Sequence, residues 1–147
     1  MRRAIDILYA RDEKLFSVEA SEWAIAHRLA IYLEQEIPGW NVDCEYNKQG
    51  EGDSKANPIP SKTKKNVRPD IILHHRGKPE SEHNLLVLEL KKMEESSDSK
   101  KARAYTRKPR FNNRRKYTYQ FGLALSLFPL KLHWYTNGKE IPSSVSP

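Results

Sequence analysis

A single α/β domain, one mixed (α+β) sheet with helices packed on it, is the fold class this chain predicts, and three observations predict it. Apolar residues recur every three to four positions up to Ile37 and every two positions from Trp40 onward, with Pro38-Gly39 at the change of period. A short polar helical stretch then divides the strands into a group of three and a pair. Finally, 147 residues is the length of one domain, so residues 1–147 are read as one unit. The order helix, strand, strand, strand, helix, strand, strand calls for one sheet covered by helices.

Residues 1–16 form a leading segment with a short helix marked by Ile5, Leu8, Leu15 and Phe16. Residues 18–37 form the principal helix. Trp23, Ala26, Ala30, Leu33 and Ile37 make its apolar stripe, Glu19, Glu22, Arg28, Glu34 and Gln35 fall elsewhere, and Ser17 is placed to cap it. Pro38-Gly39 ends it. In residues 40–46, Trp40, Val42, Cys44 and Tyr46 alternate with Asn41, Asp43 and Glu45, the two-residue period of a half-buried strand. Residues 48–66 hold Gly50, Gly52, Pro58 and Pro60 among charges and read as a long exposed loop, a length often given over to function.

Residues 67–74 and 84–91 are two more strands, joined through the polar hairpin connection 75–83. Residues 96–106 are helical, and Pro109 closes that stretch. In residues 117–127 the odd positions Tyr117, Tyr119, Phe121, Leu123, Leu125 and Leu127 are large, while the even ones are small or polar, so this segment is a strand. Residues 130–135 add another strand, Asn137-Gly138 is a turn signal, and 137–147 are a tail.

The net charge of +7, from 26 Lys and Arg against 19 Asp and Glu, is unevenly placed. Residues 100–116 contain nine cations, Lys100, Lys101, Arg103, Arg107, Lys108, Arg110, Arg114, Arg115 and Lys116, with no acid among them. The rest of the chain is slightly acidic. Tyr105, Phe111 and Tyr117 are interleaved with these cations, which suits phosphate neutralisation combined with stacking on exposed bases. Lys62, Lys64, Lys65 and Arg68 extend the same basic footprint.

The longest uncharged apolar-rich run, 121–130, is half the ~20 residues a spanning helix needs, so no membrane association is expected. Asp6, Arg11 and Asp12 interrupt what would be a signal peptide's apolar region, and a cytoplasmic location is expected. One cysteine, Cys44, argues against a disulfide framework and a multi-cysteine zinc site; its parity with Val42 makes it a small buried apolar residue.

The chemistry concentrates in Pro69-Asp70 and Glu89-Leu90-Lys91. The midpoint between Asp70 and Glu89 falls at Pro79-Glu80, inside the hairpin connection, so a symmetric antiparallel register makes the two carboxylates cross-strand neighbours ~4.5 to 5.5 Å apart at Cβ. Two acids that close repel unless a cation lies between them, and Mg²⁺ takes such oxygen ligands. Lys91 shares the face of Glu89, while Leu86, Leu88 and Leu90 take the core side. A metal with an adjacent ammonium suits phosphodiester hydrolysis. The same residues also suit a structural Asp at the start of a strand and an exposed face of cross-strand ion pairs.

Arg68-Pro69-Asp70-Ile71-Ile72-Leu73, followed by Val87-Leu88-Glu89-Leu90-Lys91-Lys92, resembles the signature of the PD-(D/E)XK nuclease superfamily, with its restriction-endonuclease-like core. The context is similar too: a helix bearing Glu, a strand before PD, PD opening the next, and ExK closing a third. The similarity runs over residues 22–127. The resemblance implies a Mg²⁺-dependent nuclease, with Mn²⁺ able to substitute, that hydrolyses nucleic-acid phosphodiester bonds, DNA favoured over RNA. It implies that Asp70 and Glu89 bind the metal with the Leu90 carbonyl, that Lys91 is the catalytic lysine, and that an acid from the first helix joins them. Glu22 is the choice for that acid, with Glu19 one turn away. Small members of this fold often pair as homodimers. The alternative is an inactive nucleic-acid-binding module of the same fold, or a subunit of a larger defence or repair complex. A further Gln and Tyr carried by some subfamilies after ExK is only half matched, by Tyr105; Gln120 lies on the later strand and is given no role.

Of the remaining candidates, Glu45 is read as solvated, Lys92 as structural or phosphate-contacting, and His74, His75 and His83 as unsuited by spacing to a metal, with the loop histidines in solvent.

Overall fold

A computed structural model describes residues 1–49, 53–54, 68–93, 96–108 and 117–142. The leading segment folds as two helices. In α1 (Arg2–Arg11), Ala4, Ile5 and Leu8 are buried. Asp12 ends it, its N–H still donating to the Leu8 carbonyl, while its carboxylate takes Arg28 Nε at 3.1 Å and the Tyr32 hydroxyl. The single turn and a half of α2 (Glu13–Ser17) follows.

The principal helix, α3 (Glu22–Glu36), starts four residues later than its apolar period suggested. Its cap is Ser21, whose Oγ accepts from the Ala24 N–H at 3.2 Å; Ser17 instead donates back to Lys14 within α2. Glu19, with φ of 52°, makes the turn between the two helices. The buried face is Ile25, Ala26, Leu29, Ala30, Tyr32 and Leu33. Trp23 lies roughly a third of a turn away from that face at 3.6 residues per turn and is 58% exposed, so it is not part of the core stripe.

The sheet contains β1 (Asn41–Cys44), β4 (Ile71–His74), β5 (Asn84–Lys91), β6 (Phe121–Leu127), β7 (Leu130–Thr136) and β8 (Lys139–Ile141), in the spatial order β1-β4-β5-β6-β7-β8. A separate ladder of β2 (Lys48–Gln49) and β3 (Asp53–Ser54) stands where a plain loop was expected. β1, β4 and β6 are shorter than the strands expected over 40–46, 67–74 and 117–127; Val67 lies outside the described residues, and Pro69 has no N–H to give a ladder. Neighbours are antiparallel except β5 and β6. That parallel pair requires a crossover, and α4 (Ser96–Tyr105) supplies it. The tail expected after residue 136 holds β8. Asn137 and Gly138, with φ of 48° and 72°, form the two-residue turn whose twist suits a hairpin.

Each face of the sheet has its own cover. α1 and α3 pack on Ile71, Leu73, Leu86, Leu88, Leu90, Leu123, Leu125 and Leu127. The opposite face buries Ile72 and Val87 beneath Tyr105, Tyr117 and Tyr119, whose rings sit 5.7 to 6.2 Å apart. Tyr117 and Tyr119 therefore serve this second core rather than extending β6. Gly122 lets α4 approach closely: a Cβ there would fall inside contact distance of the Ala102 carbonyl. No helix among the described residues is long and apolar enough to cross a membrane.

At the far end of β4, Asp43 Oδ2 lies 2.8 Å from Nε2 of the buried His74, and its Oδ1 takes Arg76 Nη2 at 2.6 Å. Burial alone would raise this carboxyl; the hydrogen bonds from His74 and Arg76, with their charges, outweigh it and hold the group well below the usual carboxylate range. Asp43→Ala is expected to lose about 2 kcal/mol at pH 7, since two donors lose their acceptor. A depressed native value is fully stabilising above the unfolded value of about 4 and is lost as pH falls toward the native one. Urea unfolding should therefore show the difference between wild type and variant narrowing below about pH 4.

Candidate active site

The site grows out of the β4–β5 register. Ile71 pairs with Leu88 and Ile72 with Val87, so one further step sets Asp70 opposite Glu89. The Glu45 N–H donates to the Asp70 carbonyl at 3.3 Å, which keeps Asp70 in line with the strand on its β1 side. Alternation then puts Asp70, Glu89 and Lys91 on the α4 face, with Ile72 and Val87.

Pro69 is one step beyond, opposite Leu90. In a continued ladder residue 69 would exchange both backbone bonds with Leu90. Proline has no N–H to give the Leu90 carbonyl. The Leu90 N–H turns instead to Asp70 Oδ2, at 2.7 Å. Because N–H and C=O of one strand residue point the same way, the Leu90 carbonyl faces the Asp70 side of β5. The Pro-Asp dipeptide thus ends the ladder and places a carboxylate at the opening it leaves.

Two lysine–glutamate pairs complete the arrangement. Lys91 Nζ donates to Glu22 Oε2 at 2.7 Å, and the Lys92 N–H donates to Glu22 Oε1 at 3.1 Å. The first turn of α3 is therefore tied to the end of β5. Burial would raise the Glu22 carboxyl, but hydrogen bonds from Lys91 and Lys92 and the two positive charges prevail and lower it. Glu19 presents only its backbone here, its carbonyl accepting from Lys92 Nζ at 2.9 Å. Of Glu19 and Glu22, Glu22 is the one whose carboxylate bonds Lys91.

The second pair joins Glu89 to the crossover helix. Glu89 is buried, and its Oε2 lies 3.0 Å from Nζ of Lys101 on α4. The basic run places Lys101 with its neighbours on a nucleic-acid surface, but the crossover helix folds it back onto β5, which nothing in the spacing of residues 89 and 101 reveals. Arg103 is also engaged internally, donating from Nε to the Gly138 carbonyl at 2.6 Å. Lys100, Arg107 and Lys108 are exposed. Arg110, Phe111, Arg114, Arg115 and Lys116, like Lys62, Lys64 and Lys65, lie outside the described residues.

Other candidates stand apart. Glu45 is half-exposed and pairs at 3.8 Å with Arg68. Gln120 donates to the Ser81 carbonyl, a structural role. The histidines are not loosely solvated: His74 is buried against Asp43, and His75 Nδ1 lies 2.9 Å from His83 Nδ1, at the opposite end of the strand pair from Asp70. Cys44 is half-buried at the edge of the first core, and burial, aided by the charges of Asp43, Asp70 and Glu45, pushes its thiol up to about 11.

Among the described residues no group of three or more His, Cys, Asp or Glu side chains is arranged to hold a metal. The groups that could serve as donors here are the Asp70 and Glu89 carboxylates and the Leu90 carbonyl, all oxygen. That composition fits Mg²⁺, which keeps several waters and commonly takes only one or two carboxylates from the protein. The buried Glu89 carboxylate already has a cation beside it, as its burial demands. No protein-family model, curated protein or solved structure matches the chain.

Proposed function

We propose that the chain is a Mg²⁺-dependent nuclease of the PD-(D/E)XK kind, hydrolysing nucleic-acid phosphodiester bonds, with DNA favoured and a 5′-phosphate and 3′-hydroxyl as products. One observation carries the reading: the register sets Asp70 opposite Glu89, with Lys91 on their face and Pro69 ending the ladder beside the Leu90 carbonyl. Asp70, Glu89 and that carbonyl would hold the metal, which when bound polarises a phosphoryl oxygen and acidifies a water. Lys91 supplies a fixed positive charge. Glu22 sets its direction from one side, so the ammonium needs little reorganisation to orient a water or meet charge developing on the phosphate. The basic segment from Lys100 onward would bring the backbone to this opening without reading its sequence.

A second reading has its own support. Glu89 and Lys91 each already have an internal partner of opposite charge, which also suits a nucleic-acid-binding module that has lost turnover.

Titrating Mg²⁺ or Mn²⁺ against labelled duplex, single strand and branched junction separates the two. Metal-dependent cleavage of any of them supports the nuclease, and binding without cleavage on all three hands the function to the binding module. Absence of salt-sensitive binding removes both. Neutralising Arg107, Arg110, Arg114 and Arg115 together is expected to weaken binding and flatten its salt dependence, each lost phosphate contact reducing the slope by about 0.9. Fluorescence anisotropy across a salt series measures it.

A further inference from the structure

We propose that Lys101 is a displaceable counter-ion of Glu89, which neutralises the carboxylate until a divalent cation replaces it and then turns its ammonium to the nucleic-acid phosphate. This rests on the reading of Asp70 and Glu89 as metal ligands.

The asymmetry of the pair carries the argument. The Glu89 side chain is 3% exposed, whereas that of Lys101 is 42% exposed. Glu89 sits on a central strand, between β4 and β6, and cannot follow a partner into water. Lys101 arrives from the crossover helix on a flexible four-carbon stem with a strongly hydrated head, so it is the member of the pair that can turn toward solvent. Its backbone, in contrast, is fixed. The next residue, Ala102, is fully buried with its carbonyl against Gly122, and this sets the depth at which the lysine meets the sheet.

The two ammoniums of the site therefore differ in kind. Lys91 is held by Glu22, which the Lys92 N–H anchors a second time and which is not a proposed ligand. Lys101 stands on a proposed ligand itself. A divalent ion on Glu89 and an ammonium 3.0 Å from its Oε2 would repel in a partly buried site, which favours release of the ammonium as the ion binds. The lysine has the route out. Once released, it lies on the basic segment beside Lys100, where a phosphate is its natural partner. Lys101 is thus a positioning residue in the metal-free protein and a phosphate contact in the loaded one.

Mn²⁺ binding to the full chain without nucleic acid, followed by paramagnetic resonance or calorimetry, tests this directly. Removing a competitor for Glu89 should make Lys101→Met bind Mn²⁺ more tightly than wild type, by about tenfold if the displaced contact is of ordinary charge-assisted strength. The metal-free variant should also melt earlier, with saturating Mn²⁺ bringing it back toward wild type. Should Lys101→Met fail to fold, Lys101→Gln, which keeps a donor for Glu89 but no charge, takes the same measurements. A purely structural lysine would lower the melting point without tightening the metal. Unchanged or weaker Mn²⁺ binding in the variants, with wild type binding normally, overturns the counter-ion role and leaves the metal centre standing. No Mn²⁺ binding in wild type or variants overturns both.

Discussion

Asp70→Asn is expected to lower metal-dependent cleavage by about a thousandfold or more while leaving nucleic-acid affinity within a few-fold, since three decades correspond to about 4 kcal/mol of transition-state stabilisation. Asparagine is the informative replacement. Its amide oxygen can still accept the Leu90 N–H that Asp70 Oδ2 holds at 2.7 Å, so the end of β4 keeps its place while the charge is lost. Lys91→Met is the companion. It keeps the length of the side chain and removes the ammonium, and Glu22 retains the Lys92 N–H. Both variants should elute, melt and bind DNA much as wild type does. Single-turnover cleavage in Mg²⁺ measures the loss, and full activity in either purified variant would sink the assignment. Their effects should also fail to add, because the two groups act on one reaction centre.

These residues were legible because the information that places them is local. Asp70 and Glu89 stand equally far from Pro79-Glu80, and the register of β4 with β5 keeps that symmetry from Leu73–Leu86 through Ile71–Leu88. The irregularity in the ladder, between Leu73 and His74, lies toward the hairpin and leaves the site end undisturbed. The change of period at Pro38-Gly39 gave the sheet its start in the same local way. Where two local signals competed, the pattern misled. The three- to four-residue spacing put Trp23 in the apolar stripe and Ser17 at the cap, whereas Trp23 faces solvent and the cap is Ser21. The odd-position parity from Tyr117 to Leu127 spans two structures: a β6 that starts at Phe121, and two tyrosines that cross to the second core. β8 is only three residues long, too short to show a period after its turn. The Lys101–Glu89 contact depends on how deeply a crossover helix settles on a sheet. That depth is a tertiary quantity, set by which residue lies beneath the helix.

Gly122 is that residue, and Gly122→Val is expected to destabilise the protein by about 3 kcal/mol, the upper part of the usual range for overpacking. A Cβ at this position meets the Ala102 carbonyl carbon at 3.0 Å and Thr106 Cγ2 at 3.0 Å, with the Ala102 oxygen nearer still. Backbone cannot rotate out of the way as a side chain can, so α4 has to lift or β6 has to bend. Urea unfolding should show the loss as a lower midpoint with an unchanged slope. The site should register the same displacement. Lys101 precedes Ala102, so lifting the helix draws its ammonium away from Glu89 Oε2. Gly122→Val should then resemble Lys101→Met in binding Mn²⁺ more tightly than wild type, though no charge has been altered. A variant as stable as wild type would mean that α4 does not rest on Gly122. A destabilised variant with unchanged Mn²⁺ affinity would mean that the depth of the helix does not govern the lysine.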